Sequence, residues 1–462
     1  MTINVFEHSV IQNAQLPPNL KAAESLNNFE DFLQTNWNQR AIFYEDNYKT
    51  SDQQFIKFIR NNAIKTSKYI GTIIYQGEKI NIFPKVFKEF KDDNDTSNLT
   101  EKHLFHNIVN WIEYCNKFDY PFLNISAKLK DSDSLMDLFI TLYIGYVSSS
   151  IERGLYYQYI DQTDNLKVIK GKFNVVDYVT KKIPYGQYNE FECSYSSFEY
   201  DNLINRIIKY TCNQLLKITS GKNLKKLRRI MNKLDQVTLT PCSPNDCDNI
   251  RLNNMQKQYK IILSMSKMIL LNKFSAYDMD INESFCFLFP TELLFEGFIG
   301  GFMKETLTNI GGKVKLQQSN MPLIEEINYN DTSLGSAFTM KHDIVATLGN
   351  KIIILDTKYK EISRFNGDVK NVSKIIKNEP KQTDLYQILE YARKRNIRDV
   401  YLLYPMYRYE TKEPYFPTGI SKSESLNINI HFIRLPFIFE DDQDIKKTLK
   451  DIILDFFYEK KQ

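Results

Sequence analysis

Residues 342–358 read HDIVATLGNKIIILDTK. Gly349-Asn350 is a tight-turn dipeptide flanked by two apolar runs, so the stretch predicts a hairpin with strands over 337–348 and 351–357. Asp343 lies in the first strand and Asp356 ends the second. Folding at the turn lays the strands side by side and brings both acids to one end of the sheet. Lys358 follows Asp356 by two positions and therefore shares its face.

The chemistry of these residue types explains such a meeting. Two carboxylates converging on one point are costly unless a cation neutralises them. Hard oxygen ligands favour Mg2+. A neighbouring ammonium can orient or deprotonate a water and stabilise negative charge at phosphorus, which amounts to metal-assisted phosphodiester hydrolysis. The D-x-K spacing alone is common: Asp368/Lys370 and Asp444/Lys446 share it. Neither of those follows an apolar run like Ile352-Ile353-Ile354-Leu355, which delivers a charged pair to a sheet end. The alternative for 356/358 taken alone is a solvated strand end.

Two further elements join the constellation. Glu296 sits in LLFEGFIGGF, within a helix expected over 291–308 and closed by Gly311-Gly312. Its apolar neighbours leave it little water, and a buried carboxylate needs a partner. A metal ion or its water is the candidate, against a plain helix-surface Glu. Asp384, Gln387 and Tyr391 form one stripe of a helix over about 383–394. Gln387 and Tyr391 bring an amide and a phenol together, suited to holding a phosphate or the acids, against an ordinary polar helix face.

Working outward, strands are expected at 313–318, 399–404 and 428–435, and an amphipathic helix at 444–458. The order helix, three strands, helix, strand is an α/β core. The middle of the chain reads as helical from about 103, with Leu104, Ile108, Trp111, Ile112 and Tyr114 in phase, and at 135–151, 201–234 and 255–271, with a polar strand-like insertion at 156–195. The first hundred residues read as β-rich: a strand at 3–11, a short helical segment at 55–59, and a hairpin of 69–74 with 79–86 around Gln76-Gly77. A polar linker follows at 91–102. The expectation is an α+β multidomain chain: residues 1–100 a β-rich domain, 101–285 a mainly helical domain, and 286–462 the α/β domain with a mixed central sheet.

Composition narrows the function classes. The chain has 462 residues, 42% hydrophobic and 25% charged, and a net charge of only +4, so it is neither disordered nor a bulk polycation. Nucleic-acid binding therefore has to come from local patches. Residues 351–400 carry 12 Lys/Arg against 7 Asp/Glu. Lys222, Lys225, Lys226, Arg228, Arg229 and Lys233 crowd one helix. Both patches suit a phosphate backbone, although a charge run is often only solvated. Six scattered cysteines exclude a disulfide scaffold, and Cys242 and Cys247 lack two further zinc ligands. No Walker A loop, G-x-S-x-G element or histidine cluster is present in the sequence. With no signal-peptide pattern and no spanning apolar stretch, a soluble cytoplasmic protein is expected.

The order Glu296, Asp343, Asp356-Thr-Lys358, Gln387-x-x-x-Tyr391 resembles the PD-(D/E)XK nuclease superfamily. More narrowly, the chain resembles the McrC family, nuclease subunits of McrBC-type modification-dependent restriction systems. The resemblance extends through Ile80-Asn-Ile-Phe-Pro-Lys85, Glu152-Arg-Gly-Leu155 with Tyr159, Ile169-Lys-Gly171, Phe191-Glu-Cys193, Asp201-Asn-Leu-Ile-Asn205-Arg206, Asp384-Leu-Tyr-Gln387 and Tyr404-Pro405. It covers residues 69–405, and the order of the motifs carries it. There are two departures. His342 stands where the superfamily usually has Pro, and the chain is long, with additions expected in the first 65 residues and near 225–260.

The resemblance implies a PD-(D/E)XK core in residues 286–462 and a type II-like or type IV restriction endodeoxyribonuclease acting in antiviral defence. Asp343, Asp356 and Glu296 would ligate Mg2+, Lys358 would position the attacking water, and Gln387 and Tyr391 would support them. The N-terminal domain would bind a McrB-like AAA+ GTPase hexamer and stimulate it. GTP would be bound by that partner, not by this chain. Double-stranded DNA would be the substrate, a pair of nuclease domains would cut both strands, and no membrane would be involved. The rival readings are a RecB-like repair nuclease acting alone or with a helicase, and a non-catalytic activator of the AAA+ partner.

Overall fold

A computed structural model describes residues 2–39, 52–90, 100–115, 134–219, 221–252, 256–274, 284–329, 332–333, 335–360, 362–363, 369–406, 418–422, 427–439 and 444–458. The fold is α+β with several sheets, some of them mixed. The chain forms two compact units. One joins Met1–Leu135 to Asn282–Gln462, and the other is Met136–Ile281.

The first unit is organised by a six-stranded sheet in the order Lys313–Ile324, Ala337–Leu348, Lys351–Thr357, Asp399–Met406, Ile428–Pro436, Thr418–Ser421. The first three strands are antiparallel neighbours, the next two pairings are parallel, and the edge strand is antiparallel. The sheet is therefore mixed. The hairpin closes at Leu348↔Lys351, with Gly349 at φ 58°, a left-handed conformation that glycine adopts without a Cβ penalty. Ile353, Ile354 and Leu355 are fully buried, each worth roughly 1.5–3 kcal/mol of apolar burial. Ile354 packs in one cluster with Val400, Leu402 and Tyr404 of strand Asp399–Met406 and with Ile388, Tyr391 and Ala392 of helix Gln382–Arg395.

A second sheet in the same unit runs Thr2–Phe6, Glu78–Phe83, Tyr69–Tyr75, Phe285–Pro290. Chain segments some two hundred residues apart pair here, since Tyr69–Tyr75 is antiparallel to Phe285–Pro290. Helix Thr291–Thr308 leaves this sheet directly and crosses helix Glu101–Tyr114, where Gly301 admits the Tyr114 carbonyl. The buried carboxylate of Glu7 locks four segments together. It accepts from the Lys85 N–H at 2.8 Å, Thr291 Oγ1 at 2.9 Å and the Tyr359 hydroxyl at 2.5 Å.

Two local expectations are corrected. Residues 55–59 were expected to be helical, but Ile56–Ile59 is a strand paired with Ala63–Thr66, because β-branched and aromatic side chains find an extended partner. The single strand expected over 3–11 is broken into Thr2–Phe6 and Val10–Ile11 by His8 at φ 59°. The expected linker is described only from Thr100 onward; residues 91–99 lie outside the described residues.

The second unit packs helices Leu135–Glu152, Leu203–Leu216, Gly221–Lys233 and Lys257–Phe274. A three-stranded antiparallel sheet, Gln158–Leu166, Phe191–Glu199, Lys172–Phe173, forms the expected strand insertion. Cys242 and Cys247 are buried in an apolar cluster with Ile207, Leu263 and Leu270. No helix among the described residues is long and apolar enough to cross a membrane.

Candidate active site

Strand pairing ends at Ile344↔Leu355, one residue short of each acid, so Asp343 and Asp356 stand together at one end of the hairpin. Lys358 lies just past the strand, where its N–H donates to the Leu403 carbonyl at 2.8 Å. Its Nζ stands 2.6 Å from Asp356 Oδ2. Lys358 Nζ also donates to Gln387 Oε1 at 3.5 Å, and Gln387 Nε2 donates to the Tyr391 hydroxyl at 2.7 Å. The structure thus gathers Asp343, Asp356, Lys358, Gln387 and Tyr391 into one linked group.

The electrostatics are those of crowded, dehydrated acids. Asp356 is 1% exposed. Burial first and Asp343 second push its carboxyl up to about 7, against the opposing pull of Lys358. Burial and then Glu296 raise Asp343, while the two donors of Thr357 oppose the rise. Burial draws the Lys358 ammonium down, but Asp356 more than offsets this, leaving Lys358 above its ordinary value. Lys358 therefore stays charged.

Both Asp356 oxygens are buried; Oδ2 meets the Lys358 ammonium at 2.6 Å, and Oδ1 accepts no hydrogen bond among the described residues. Such oxygens are what a hard cation takes. Asp343 Oδ2 is engaged by Thr357, from its N–H at 2.9 Å and its hydroxyl at 3.0 Å. Glu296 is turned to Gln317, whose Nε2 donates to Glu296 Oε1 at 3.0 Å. No three His, Cys, Asp or Glu side chains among the described residues form a metal cluster. The site offers a carboxylate pair, with Glu296 acting on it through charge. A pair fits Mg2+, which usually keeps several waters and takes one or two carboxylates.

Several contributors carry no signal in the sequence. Gln317, at φ 48° beside a strand irregularity, reaches Glu296. Lys360 Nζ pairs closely with buried Asp384, a residue the sequence placed only in a polar stripe. His342, at the position where Pro was expected, is fully buried. Its ring lies 4.2 Å from that of Tyr391, and its Nε2 accepts from Arg395 Nε at 3.2 Å. Thr357 was legible only as the middle of D-T-K.

Comparison with known proteins adds the following. The family described as "McrBC 5-methylcytosine restriction system component" matches residues 64–405. The chain is similar in fold to a chain of the refined half-complex from the tetradecameric assembly of Thermococcus gammatolerans McrB AAA+ hexamers with bound McrC. The TM-score is 0.61 at 18% identity, covering 99% of this chain and 100% of that one. A chain of the cryo-EM structure of the Thermococcus gammatolerans McrBC complex matches at TM-score 0.47 and 18% identity, over 66% of this chain and 88% of that one. No curated protein matches the chain.

Proposed function

The chain belongs to the family of McrBC 5-methylcytosine restriction system components, and from that premise we propose that it is a Mg2+-dependent DNA endonuclease subunit. Its working form is a complex with an AAA+ GTPase, whose GTP hydrolysis it stimulates and which it engages through its N-terminal part, residues 1–100. The similar fold of a chain solved with McrB AAA+ hexamers and bound McrC supports such a partner. Action in the cytoplasm, against modified invading DNA, follows from the same reading.

The observation that carries the nuclease reading is Asp356: a carboxylate 1% exposed, its Oδ1 accepting no hydrogen bond among the described residues, beside a second acid and a lysine at one sheet end. A stability role would favour an apolar residue there, since burying two neighbouring acids against one ammonium is costly. Asp343 and Asp356 would hold the cation. When bound, Mg2+ supplies Lewis-acid charge at the scissile phosphate. Glu296 adds negative potential that strengthens cation binding.

Lys358, kept as an ammonium by Asp356, does not serve as the proton acceptor in this state. It orients the attacking water and stabilises charge that grows on the phosphate oxygens. Gln387 fixes the Lys358 Nζ, and the Tyr391 hydroxyl fixes Gln387. Thr357 holds one oxygen of Asp343 and so sets the angle of its carboxylate.

An omission series tests this reading. Plasmid is incubated in Mg2+ with the chain alone, with its AAA+ partner alone, and with both plus GTP. Cleavage confined to the complete mixture is expected. Equal cleavage by the chain alone would favour a repair nuclease. GTPase stimulation without any cleavage would leave only the activator role.

A further inference from the structure

Between Asp201 and Asp235 the sequence holds nine Lys/Arg and no Asp or Glu. Two of the nine, Arg206 and Lys209, serve the fold through contacts within the unit. Arg206 pairs with Asp201 at 2.8 Å, and the Lys209 Nζ donates to the carbonyls of Leu234, Asp235 and Val237 at 2.7, 3.2 and 2.6 Å. Six of the remaining seven lie on helix Gly221–Lys233, and all six are exposed.

Their placement is not even. At about 100° per residue, Lys222, Lys225, Lys226, Arg229 and Lys233 fall in one arc of about 100° and run about 16 Å along the axis. The opposite side of the helix carries Leu227 and Ile230, both buried, with Leu224 and Met231 half-buried. An ordinary solvated helix mixes charge signs on its outer face. Here Lys225/Arg229 and Arg229/Lys233 are like-charge pairs at i,i+4, each costing roughly 0.2–0.5 kcal/mol. The helix holds this stripe against its own repulsion, and an extended polyanion relieves that repulsion.

We infer that this stripe is a second DNA contact, remote in sequence from the nuclease residues, which binds the phosphate backbone of duplex DNA without reading its bases. This inference rests on the nuclease reading for its choice of polyanion. A linear cationic row matches the regular charge spacing along a duplex. Long, flexible lysines dominate the row, as suits point contacts to phosphates. The contact would hold DNA on the complex through each approach to the cutting site.

The test measures binding of the full chain to a 40-base-pair unmethylated duplex, without Mg2+, from roughly 50 to 200 mM salt. The variant combines Lys225→Gln, Lys226→Gln and Arg229→Gln, all on exposed side chains, with circular dichroism to check its fold. The expected result is a slope of log K against log salt reduced by roughly 2 to 3, and affinity lowered on the order of a hundredfold. A reduced slope in the triple variant supports the inference even if the wild-type mixture cuts nothing, in which case the nuclease reading alone fails. An unchanged slope overturns the inference. Unchanged DNA binding with loss of the AAA+ partner also overturns it and makes the stripe a protein interface.

Discussion

The backbone N–H and the hydroxyl of Thr357 both donate to one carboxylate oxygen of Asp343, at 2.9 and 3.0 Å. The residue between Asp356 and Lys358 thus anchors the other acid of the hairpin. Three consecutive positions therefore hold a buried carboxylate, the clamp on its partner and the ammonium that faces both. This compactness makes each position testable by itself.

Thr357→Val keeps the shape and the N–H but deletes the hydroxyl. Loss of a group that orients a metal-binding carboxylate typically costs 10- to 100-fold. The expected outcome is a Mg2+ half-saturation for cleavage raised by about tenfold, with an unchanged melting temperature to within a few degrees. An unchanged Mg2+ requirement would remove Thr357 from the account.

The raised carboxyl of Asp356, at about 7, gives a pH dependence. Mg2+ needs the ionised form, so binding releases the proton. As pH falls from about 8 to about 6, the Mg2+ half-saturation should rise, approaching tenfold per unit below about 7. Stability follows the same shift. A carboxyl raised in the folded state stabilises below its unfolded value, and that contribution is lost as pH rises through about 7. Metal-free Asp356→Asn should therefore melt higher than the wild type at about pH 8, with the gap closing toward about pH 5. Parallel melting curves across that range would contradict the assignment.

Glu7 accepts from Tyr359, one residue beyond Lys358, and from Thr291, at the start of the helix that carries Glu296. Tyr359→Phe removes a donor to a buried carboxylate. A loss of roughly 1.5–3 kcal/mol is expected in urea unfolding, with unchanged m-value. A smaller effect than 0.5 kcal/mol, on the same scale, would show that the hydrogen bond is not structural.

Gly301→Ala would place a Cβ 1.7 Å from the Tyr114 carbonyl oxygen, where only backbone could give way. The two helices would have to separate. Destabilisation of at least roughly 1–3 kcal/mol is expected, read as a lowered melting temperature. Gly145→Ala, where a Cβ meets nothing within 4 Å, is the matched control and should be near neutral.

The hairpin was legible because two signals agree: the Gly349-Asn350 turn and an apolar run long enough for a buried strand. The helix over 291–308 was legible for a similar reason, an apolar block closed by glycines. Sequence-distant pairing was not legible. Phe285–Pro290 joins Tyr69–Tyr75 because each offers a buried apolar strand, and no local pattern names the partner. Ile56–Ile59 was misread because a short apolar run fits either period. At the site, Asp343, Asp356 and Lys358 stood out by type and position. Gln317 and Arg395 did not, since a neutral amide on a strand and a cation on a basic helix look ordinary until folding sets them beside Glu296 and His342.

The central claim is that Asp356 serves cutting and not the coupling to a GTPase. The most direct measurement follows plasmid cleavage and GTP hydrolysis in one mixture of the chain, its AAA+ partner, GTP and Mg2+, with Asp356→Asn against wild type. The predicted result is cleavage reduced by at least roughly a thousandfold, the scale of losing a group essential to the chemical step, while stimulated GTP hydrolysis stays at the wild-type rate. Cleavage retained within a few-fold of wild type by a folded Asp356→Asn chain would contradict the account.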